Sequence, residues 1–500
     1  MQKRIAVILV LTLGLVFLNG CTLRGREDDS LVVAIPTDPD SFHPHQSLAA
    51  ATAEIAFNIY EGLVKAAPDG TVVPALAADW KIEDGGLLYI FTLREDVKFH
   101  NGRELTADDV IYCLNRLRDP QVVAKARDYG HIKSITHEGN TIKIQLDQPD
   151  AAFLAALTEF SAAIYPQEAE EQLSTQPVGT GPFILKSWQP NNEIVLERFA
   201  DYWQPELVQL NQVTLRIIPE PATMVSNLLT GHVDLVPRLE PDYLHQVEGN
   251  AQLKIVESPM ALVQLLAINN ARPPFDDIRV RQALNYALDR EQIIEGAAWG
   301  KGQPIGSNLS PAMGAWYKDL TDYYPHDPEK AKQLLAEAGY PDGFSATLYL
   351  PAPYPLHRSA GEICADQLAA IGIHVDIQVI EWAYWLEKVY TNRDFDLTVI
   401  GLDGRLDPHT VLARYESTSS RNFGNFNSPE YDRLLAQGLR ETDMAARQEI
   451  YHQLQTLLAQ EASNVYLMDP SQLAVMRKDV TGWRNYPVYV LDLAPLARVR

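Results

Sequence analysis

The sequence predicts an α/β protein that is built from more than one folding unit. Three observations predict this fold class: strand and helix patterns alternate along the chain, the composition is globular, and the chain is long. Hydrophobic residues make up 46% of the sequence and charged residues 21%, which is typical of globular proteins and not of membrane bundles or disordered tails. A chain of 500 residues exceeds one ordinary hydrophobic core, so we expect two or three units.

The N-terminal segment has the pattern of an export signal. Lys3 and Arg4 precede an apolar run over residues 5–18. This run is shorter than the ~20 residues that span a bilayer, and no other segment is long and apolar enough to do so. We therefore expect residues 1–20 to be a signal peptide.

A cysteine follows this run almost directly. The residues Leu18, Asn19, Gly20 and Cys21 resemble a bacterial lipobox, in which an apolar residue and two small residues precede the cysteine that receives the lipid. Asn19 departs from the small or hydroxylated residue that is usual at its position. The resemblance implies a lipoprotein of the cell envelope, anchored to the membrane through Cys21 on the periplasmic or extracellular face, with residues 21–30 as a tether. A plain signal peptide with an incidental cysteine is the alternative.

Charge and cysteine content exclude several function classes. The formal net charge of −23 repels the phosphates of DNA and RNA, so we expect no nucleic-acid partner. Cys113 and Cys364 lie in apolar helical patterns, where buried thiols are expected and not a metal cluster or a disulfide framework. We expect a monomer that carries no cofactor.

The strand and helix signals can be placed in chain order. Apolar or period-two runs predict strands at residues 31–35, 87–93, 141–146, 262–269, 374–380, 395–400 and 464–468. Cap and breaker residues predict helices after Thr106, from Asp327 to Gly339, from about His357 to Ile371, and after Ser428. The predicted strands 262–269 and 464–468 enclose ~200 residues, which indicates a second lobe inserted in the first.

Six motifs occur in order along most of the chain. They are Y-E-G-L-V at residues 60–64, A-A-D-W at 77–80, V-K-F-H-N-G at 97–102, P-V-G-T-G-P-F at 177–183, G-H-V-D at 231–234 and P-P-F-D-D-I-R-V-R-Q-A-L at 273–284. Together they resemble the extracellular solute-binding proteins of the peptide- and nickel-importer type, with Asn101 where aspartate is commoner. We expect these motifs to be structural: Gly179 and Gly181 for a turn with unusual backbone angles, and Arg279 and Arg281 for pairing with acids.

The resemblance implies a two-lobe periplasmic-binding-protein clamp. The first lobe would comprise residues 31–269, with an extra subdomain at about 61–175, and the second lobe residues 270–470. Residues 471–500 would return to the first lobe. The resemblance implies the substrate-binding component of an ABC importer. Such a protein captures a small solute between its lobes and delivers it to a membrane permease. We expect this solute to be a peptide.

The resemblance also points to residues that contact the ligand. Peptide-binding members tend to carry an aspartate three residues before an Asp-Pro pair, where it holds the peptide's α-ammonium. Before Asp407 and Pro408, this chain has Gly404 at that position and Asp403 one residue earlier. Asp403 would pair with a ligand ammonium, and Arg405 would bind a ligand carboxylate through a bidentate fork. The alternative is that both pair with other groups of the protein.

Aromatic and amide side chains form a second set of candidates, because aromatic residues line small-molecule clefts. The set comprises Trp382, Tyr384, Trp385, Asn58, Tyr60 and Trp299. Each of these residues is otherwise explained as part of the core. Arg414 and Arg421 are further candidate partners for an anion.

Three alternative functions remain open at this stage. The same fold could bind a nickel chelate, an opine, an oligosaccharide or a haem, although the histidines show no metal-binding spacing. It could also act as a ligand sensor. An enzyme is not expected, because the chain lacks G-x-S-x-G, H-E-x-x-H and G-x-x-x-x-G-K-[ST] motifs.

Overall fold

A computed structural model describes residues 29–47, 49–119, 123 and 129–499. The predicted signal peptide and Cys21 lie outside these residues. Within them, no helix combines the length and the apolar character that a membrane crossing requires.

The strands agree with the sequence patterns. Each strand that the patterns predict is present, and six of the seven lie within a few residues of their expected limits, whereas the strand predicted at residues 464–468 continues to Arg477. In chain order the strands are Ser30–Ile35, Val64–Ala66, Val72–Pro74, Ala77–Glu83, Leu88–Leu93, Ile132–Glu138, Thr141–Leu146, Phe183–Gln189, Glu193–Arg198, Gln212–Ile217, Leu235–Val236, Leu253–Pro259, Leu262–Ile268, Gly302–Pro304, Phe344–Pro351, Ile373–Ile380, Leu397–Asp403, Asn464–Arg477, Val480–Thr481 and Ala497–Arg498.

The predicted helices are confirmed as well. The α-helices are Ala50–Ala56, Ala107–Leu117, Phe153–Ala156, Pro221–Leu229, Leu244–Val247, Ile278–Ala287, Arg290–Ala298, Pro328–Glu337, Pro355–Ala369, Trp382–Trp385, Pro408–Leu412, Pro429–Arg440 and Met444–Gln460. Thr106 and Asp109 form a capping box, in which the Thr106 backbone N–H donates to the Asp109 carboxylate at 2.9 Å. The side chains of Asp327 and Ser428 cap the starts of two of the other predicted helices.

Twelve strands join in one mixed sheet, and four others form a separate antiparallel sheet between residues 77 and 146. The long strand Asn464–Arg477 pairs with four other strands of the large sheet. Its first part pairs antiparallel with Leu262–Ile268, and its second part pairs antiparallel with Leu253–Pro259. Two extended segments therefore run side by side through the middle of the molecule.

The buried apolar side chains divide into two groups along the chain. One group, which we call the first core, draws on residues 31–253 and 473–496. The other, the second core, draws on residues 263–468. The chain passes from one core to the other only along the two paired segments, so both crossings lie next to each other.

Two sequence motifs meet inside the first core, and one expectation about them is wrong. Gly179 and Gly181 do not have positive φ angles. A Cβ at Gly179 would lie 2.1 Å from the carbonyl oxygen of Ile59, so glycine is required for close backbone approach and not for a special turn. The His100 ring is fixed between them: its Nδ1 accepts from the Gly179 N–H at 3.4 Å, and its Nε2 donates to the Gly181 carbonyl at 3.0 Å.

The two arginines of the motif at residues 273–284 have different roles. Arg279 pairs with Asp277, as expected. Arg281 is buried and donates instead to the backbone carbonyls of Phe275 and Glu461, so the expectation of an acidic partner is wrong for this residue. The expectation of buried thiols is confirmed, since Cys113 and Cys364 are both buried and free.

Candidate functional site

The loop that carries Asp403, Gly404 and Arg405 begins where a central strand ends. Strand Leu397–Asp403 pairs antiparallel with Leu262–Ile268, which places Asp403 opposite Leu262 at the crossing between the two cores. Because this strand is paired and its first four residues are buried, the loop that follows it leaves the sheet at a fixed point.

The Asp-Pro pair after this loop anchors it. The Asp407 carboxylate caps helix Pro408–Leu412 by accepting from the His409 N–H at 2.8 Å. The same carboxylate receives both terminal nitrogens of Arg447, at 2.7 and 2.8 Å. Both side chains are buried, so this is an interior bidentate ion pair. The Asp407 carboxylate is therefore occupied by these contacts, which fix the end of the loop.

Gly404 has a steric reason to be glycine. Its N–H donates to the carbonyl of Ala261 at 2.7 Å, and a Cβ at this position would lie 2.6 Å from the same oxygen. The backbone approaches too closely for any side chain. An acidic side chain three positions before Asp407 is therefore excluded, and the nearest carboxylate on this strand is that of Asp403.

Asp403 connects the two cores through a chain of side chains. The Tyr489 hydroxyl donates to Asp403 Oδ1 at 2.9 Å, and burial together with the Asp403 charge raises the pKa of Tyr489. The guanidinium of Arg238 lies over the Tyr489 ring, 4.9 Å from its centre, and pairs with Glu54. Asp403 and Gly404 line one pocket together with Arg238, Gln472 and Tyr489. Groups from both cores therefore face the same small space.

Arg405 has a partner within the protein. Its Nη1 lies 3.4 Å from Glu159 Oε1, which joins the loop to the segment before residue 160. Both side chains are partly exposed, so this pair adds little stability. The structure thus gives Arg405 the protein partner that the sequence left as an alternative.

Two aromatic candidates of the second core, Trp385 and Trp382, pack in a row with Tyr354, which we call the aromatic wall. Trp385 is buried and donates from Nε1 to the Thr398 hydroxyl at 2.9 Å. Trp382 stacks on it at 5.0 Å between ring centres, and Tyr354 meets Trp382 edge-on at 5.2 Å. Tyr384 is 49% exposed. The pKa of Tyr354 is raised by burial and by the charge of Asp403, which places the outer end of this wall near the loop.

The remaining candidates contact other regions. Asn58 is buried, and its amide bonds to the C-terminal segment: Nδ2 donates to the Leu491 carbonyl at 2.7 Å, and Oδ1 accepts from the Leu493 N–H at 2.9 Å. Tyr60 is buried against Phe160. Trp299 is 60% exposed and donates from Nε1 to the Asp242 carboxylate.

Sequence reasoning missed three residues near Asp403: Tyr354, Arg238 and Tyr489. Tyr489 lies 86 residues after its partner and Arg238 lies in another part of the chain, so no local pattern could connect them to Asp403. The sequence does give a signal for Tyr354. This residue stands directly before the proline that starts helix Pro355–Ala369 and shortly after strand Phe344–Pro351.

Two cores joined by adjacent extended segments, with a pocket between them, define a two-lobe binding protein. The profile of the bacterial extracellular solute-binding proteins, family 5, matches residues 71–423. The chain belongs to this family, which confirms the resemblance seen in the sequence motifs.

Individual relatives cover most of the chain. Heme-binding protein A of Haemophilus influenzae is 31% identical over 469 residues, which are 86% of this chain and 85% of the relative. Probable di/tripeptide-binding protein 5 of Pseudomonas aeruginosa is 30% identical over 86% of this chain and 87% of its own. The structure of the periplasmic binding protein DppA from Helicobacter pylori, solved with the peptide STSA, matches with a TM-score of 0.78 at 27% identity, over 94% of this chain and 98% of that chain.

Proposed function

We propose that this protein captures a peptide between its two cores and delivers it to the membrane permease of an ABC importer. One observation carries the proposal: Asp403 and Gly404 of the second core face Arg238, Gln472 and Tyr489 across one pocket. A ligand that contacts both sides at once stabilises the closed arrangement of the two lobes.

The two crossings provide the pivot for this closure. We place the first lobe boundary near Ala261 and not at residue 269, because residues 263–268 pack in the second core. Ala261 has a φ of 59°, an uncommon backbone conformation for a residue other than glycine, directly between the two strands that meet there. The second boundary falls beside it, near Pro470.

Asp403 is the proposed partner of the peptide's α-ammonium. In the structure it accepts a hydrogen bond from Tyr489, a neutral donor. An ammonium group would form a charge-assisted bond to the same carboxylate, and such bonds are roughly twice as strong as neutral ones. The aromatic wall of Tyr354 and Trp382 would then pack against the peptide's first side chain.

The cargo can be identified directly. The protein is expressed without residues 1–21, purified without added ligand and analysed by native mass spectrometry. A heterogeneous set of short peptide masses is expected. A single non-peptide mass would refute the peptide proposal, and a mass equal to haem would move the function towards that of the 31% identical heme-binding relative.

The role of Asp403 is tested by Asp403→Ala. Loss of its charged hydrogen bond is expected to weaken binding of the identified peptide by about 1–3 kcal/mol, measured by isothermal titration calorimetry. Asp376→Asn, an exposed carboxylate on strand Ile373–Ile380, is the matched control and should bind as the unmodified protein does. Unchanged affinity in Asp403→Ala would remove this residue from the site.

We also propose that the protein works in the cell envelope, anchored by a lipid on Cys21, and that it has no catalytic activity. The lipobox-like sequence and the membership of a family of extracellular solute-binding proteins support this location. A tether of residues 21–30 would keep the binding lobes close to the permease.

A further inference from the structure

The C-terminal segment places a tyrosine on the carboxylate that is proposed to bind the ligand's ammonium. Tyr489 belongs to the bend at residues 487–489, which is part of no helix or strand. Its hydroxyl donates to Asp403 Oδ1 at 2.9 Å. Leu491 and Leu493, just after the bend, pack in the first core, whereas Asp403 ends a strand of the second core. This hydrogen bond therefore joins the two cores.

The cavity at this point is too small for a peptide. Its lining includes all three residues of the bend together with Asp403 and Gly404. The volume of the cavity is about 10 Å³, close to the least that a single water molecule needs. A peptide ammonium can therefore reach Asp403 only after the bend and the loop at residues 404–406 have moved apart.

Contacts within the first core hold the tyrosine in this position. The guanidinium of Arg238 lies over the Tyr489 ring, and it pairs in turn with Glu54. Two residues after Tyr489, the Asn58 amide donates to the carbonyl of Leu491 at 2.7 Å. The ring and the backbone that follows it are both fixed, so the hydroxyl is held towards Asp403 by the first core itself.

Other bonds between the two cores support the same closed arrangement. The Ala151 N–H of the first core donates to the carbonyl of Leu439 in the second at 2.8 Å. The Arg405 Nη1 lies 3.4 Å from Glu159 Oε1. These are contacts of the protein with itself, so they stabilise closure without any contribution from a ligand.

We infer that this closed arrangement is an autoinhibited state, in which the Tyr489 hydroxyl occupies the ammonium site on Asp403. The inference deepens the proposed function and rests on it, because it requires Asp403 to be the ammonium partner. An ammonium forms a charge-assisted bond and so can replace a neutral phenol. A ligand binds only the molecules that have left the autoinhibited state, so its apparent dissociation constant is raised by the inverse of their fraction.

The test removes the hydroxyl and keeps the ring. The variant is Tyr489→Phe, and the matched control is Tyr486→Phe, whose hydroxyl donates to Asp492 and not to Asp403. Tyr489→Leu, which removes ring and hydroxyl together, is the second variant. Binding of an equimolar mixture of dipeptides is followed by the melting temperature, for the apparent midpoint, and by stopped-flow tryptophan fluorescence, for the rates.

Tyr489→Phe should bind the dipeptides more tightly, with an apparent midpoint roughly 3- to 10-fold lower than that of the unmodified protein. The gain should appear in the association rate and leave the dissociation rate unchanged, because the hydroxyl is released before the ligand binds. Tyr489→Leu should change in the same direction, and Tyr486→Phe should bind as the unmodified protein does. In the Asp403→Ala background, Tyr489→Phe should have no further effect, since its acceptor is already absent.

Each other result overturns the inference in a recognisable way. Weaker binding and faster dissociation in Tyr489→Phe would show that the hydroxyl holds the bound ligand, and the peptide cargo would stand. Unchanged binding would show that the hydroxyl does not compete at all. If neither variant of Tyr489 folds, the residue is structural. If the dipeptides change neither the melting temperature nor the fluorescence of the unmodified protein, the peptide cargo itself is refuted, and autoinhibition of a peptide site with it.

Discussion

The ion pair between Asp407 and Arg447 anchors the end of the loop at residues 404–406, so it provides a sharp test of the architecture. Both side chains are buried, at 6% and 5% exposure, and the two bonds between them are 2.7 and 2.8 Å long. The Arg447 guanidinium also lies over the rings of Trp316 and Tyr451, at 5.2 and 5.0 Å from their centres.

Arg447→Met would leave the Asp407 carboxylate buried and unpaired. Removing one partner of such a pair typically costs about 3–5 kcal/mol. We expect a loss of this size in the free energy of unfolding, measured by urea denaturation followed by circular dichroism and tryptophan fluorescence. Because Asp407 also caps helix Pro408–Leu412, the affinity for the ligand should fall together with stability.

Two further variants separate the buried charge from the lost packing. Arg433→Met removes an exposed arginine from its pair with Glu430 and should cost less than about 1 kcal/mol. In the double variant Asp407→Asn with Arg447→Met the uncompensated charge is gone, so part of the stability should return. A cost for Arg447→Met no larger than that of Arg433→Met would refute the reasoning.

Three other predictions follow from the sequence motifs. Burial lowers the pKa of His100 from 6.5 to about 4, so on acidification the unfolded chain binds a proton at a higher pH than the folded chain does. The free energy of unfolding should therefore fall as pH decreases from about 6.5 to 4. In urea titrations at several pH values, His100→Gln should flatten that slope. Gly179→Ala forces a Cβ against the Ile59 carbonyl and should cost more than ~3 kcal/mol, seen as a lower melting temperature, whereas alanine at the open, exposed Gly139 should cost less. Cys21→Ser should move the protein from the membrane fraction to the soluble fraction; retention in the membrane fraction would refute the lipobox interpretation.

Local chemistry explains which features could be predicted from the sequence. The helix after Thr106 and the helix after Ser428 begin at residues whose side chains satisfy the first free N–H groups, and this depends on neighbours only three residues away. The strand Thr141–Leu146 shows its buried face as alternate apolar residues. Such features require no knowledge of the rest of the chain.

Contacts between distant segments explain the features that could not be predicted. Gly179 is glycine because the carbonyl of Ile59, far away in sequence, approaches it, and not because of its own dihedral angles. Gly404 is constrained in the same way by Ala261, whose carbonyl oxygen leaves no room for an acidic side chain at this position. The sequence shows the departure at Gly404, but only the fold supplies the oxygen atom that causes it.

The charge of Asp403 also distinguishes the two leading cargoes. Asp403 has a neutral partner, and Arg405 has an acidic one. A peptide brings an ammonium, so Asp403→Ala should weaken its binding. Haem brings carboxylates but no ammonium, so its binding should not be weakened by Asp403→Ala. Titrating the unmodified protein and Asp403→Ala with haemin and with an equimolar mixture of dipeptides therefore assigns the cargo by its charges: dipeptide binding that depends on Asp403 indicates a peptide, and binding of haemin alone, not weakened in Asp403→Ala, indicates haem.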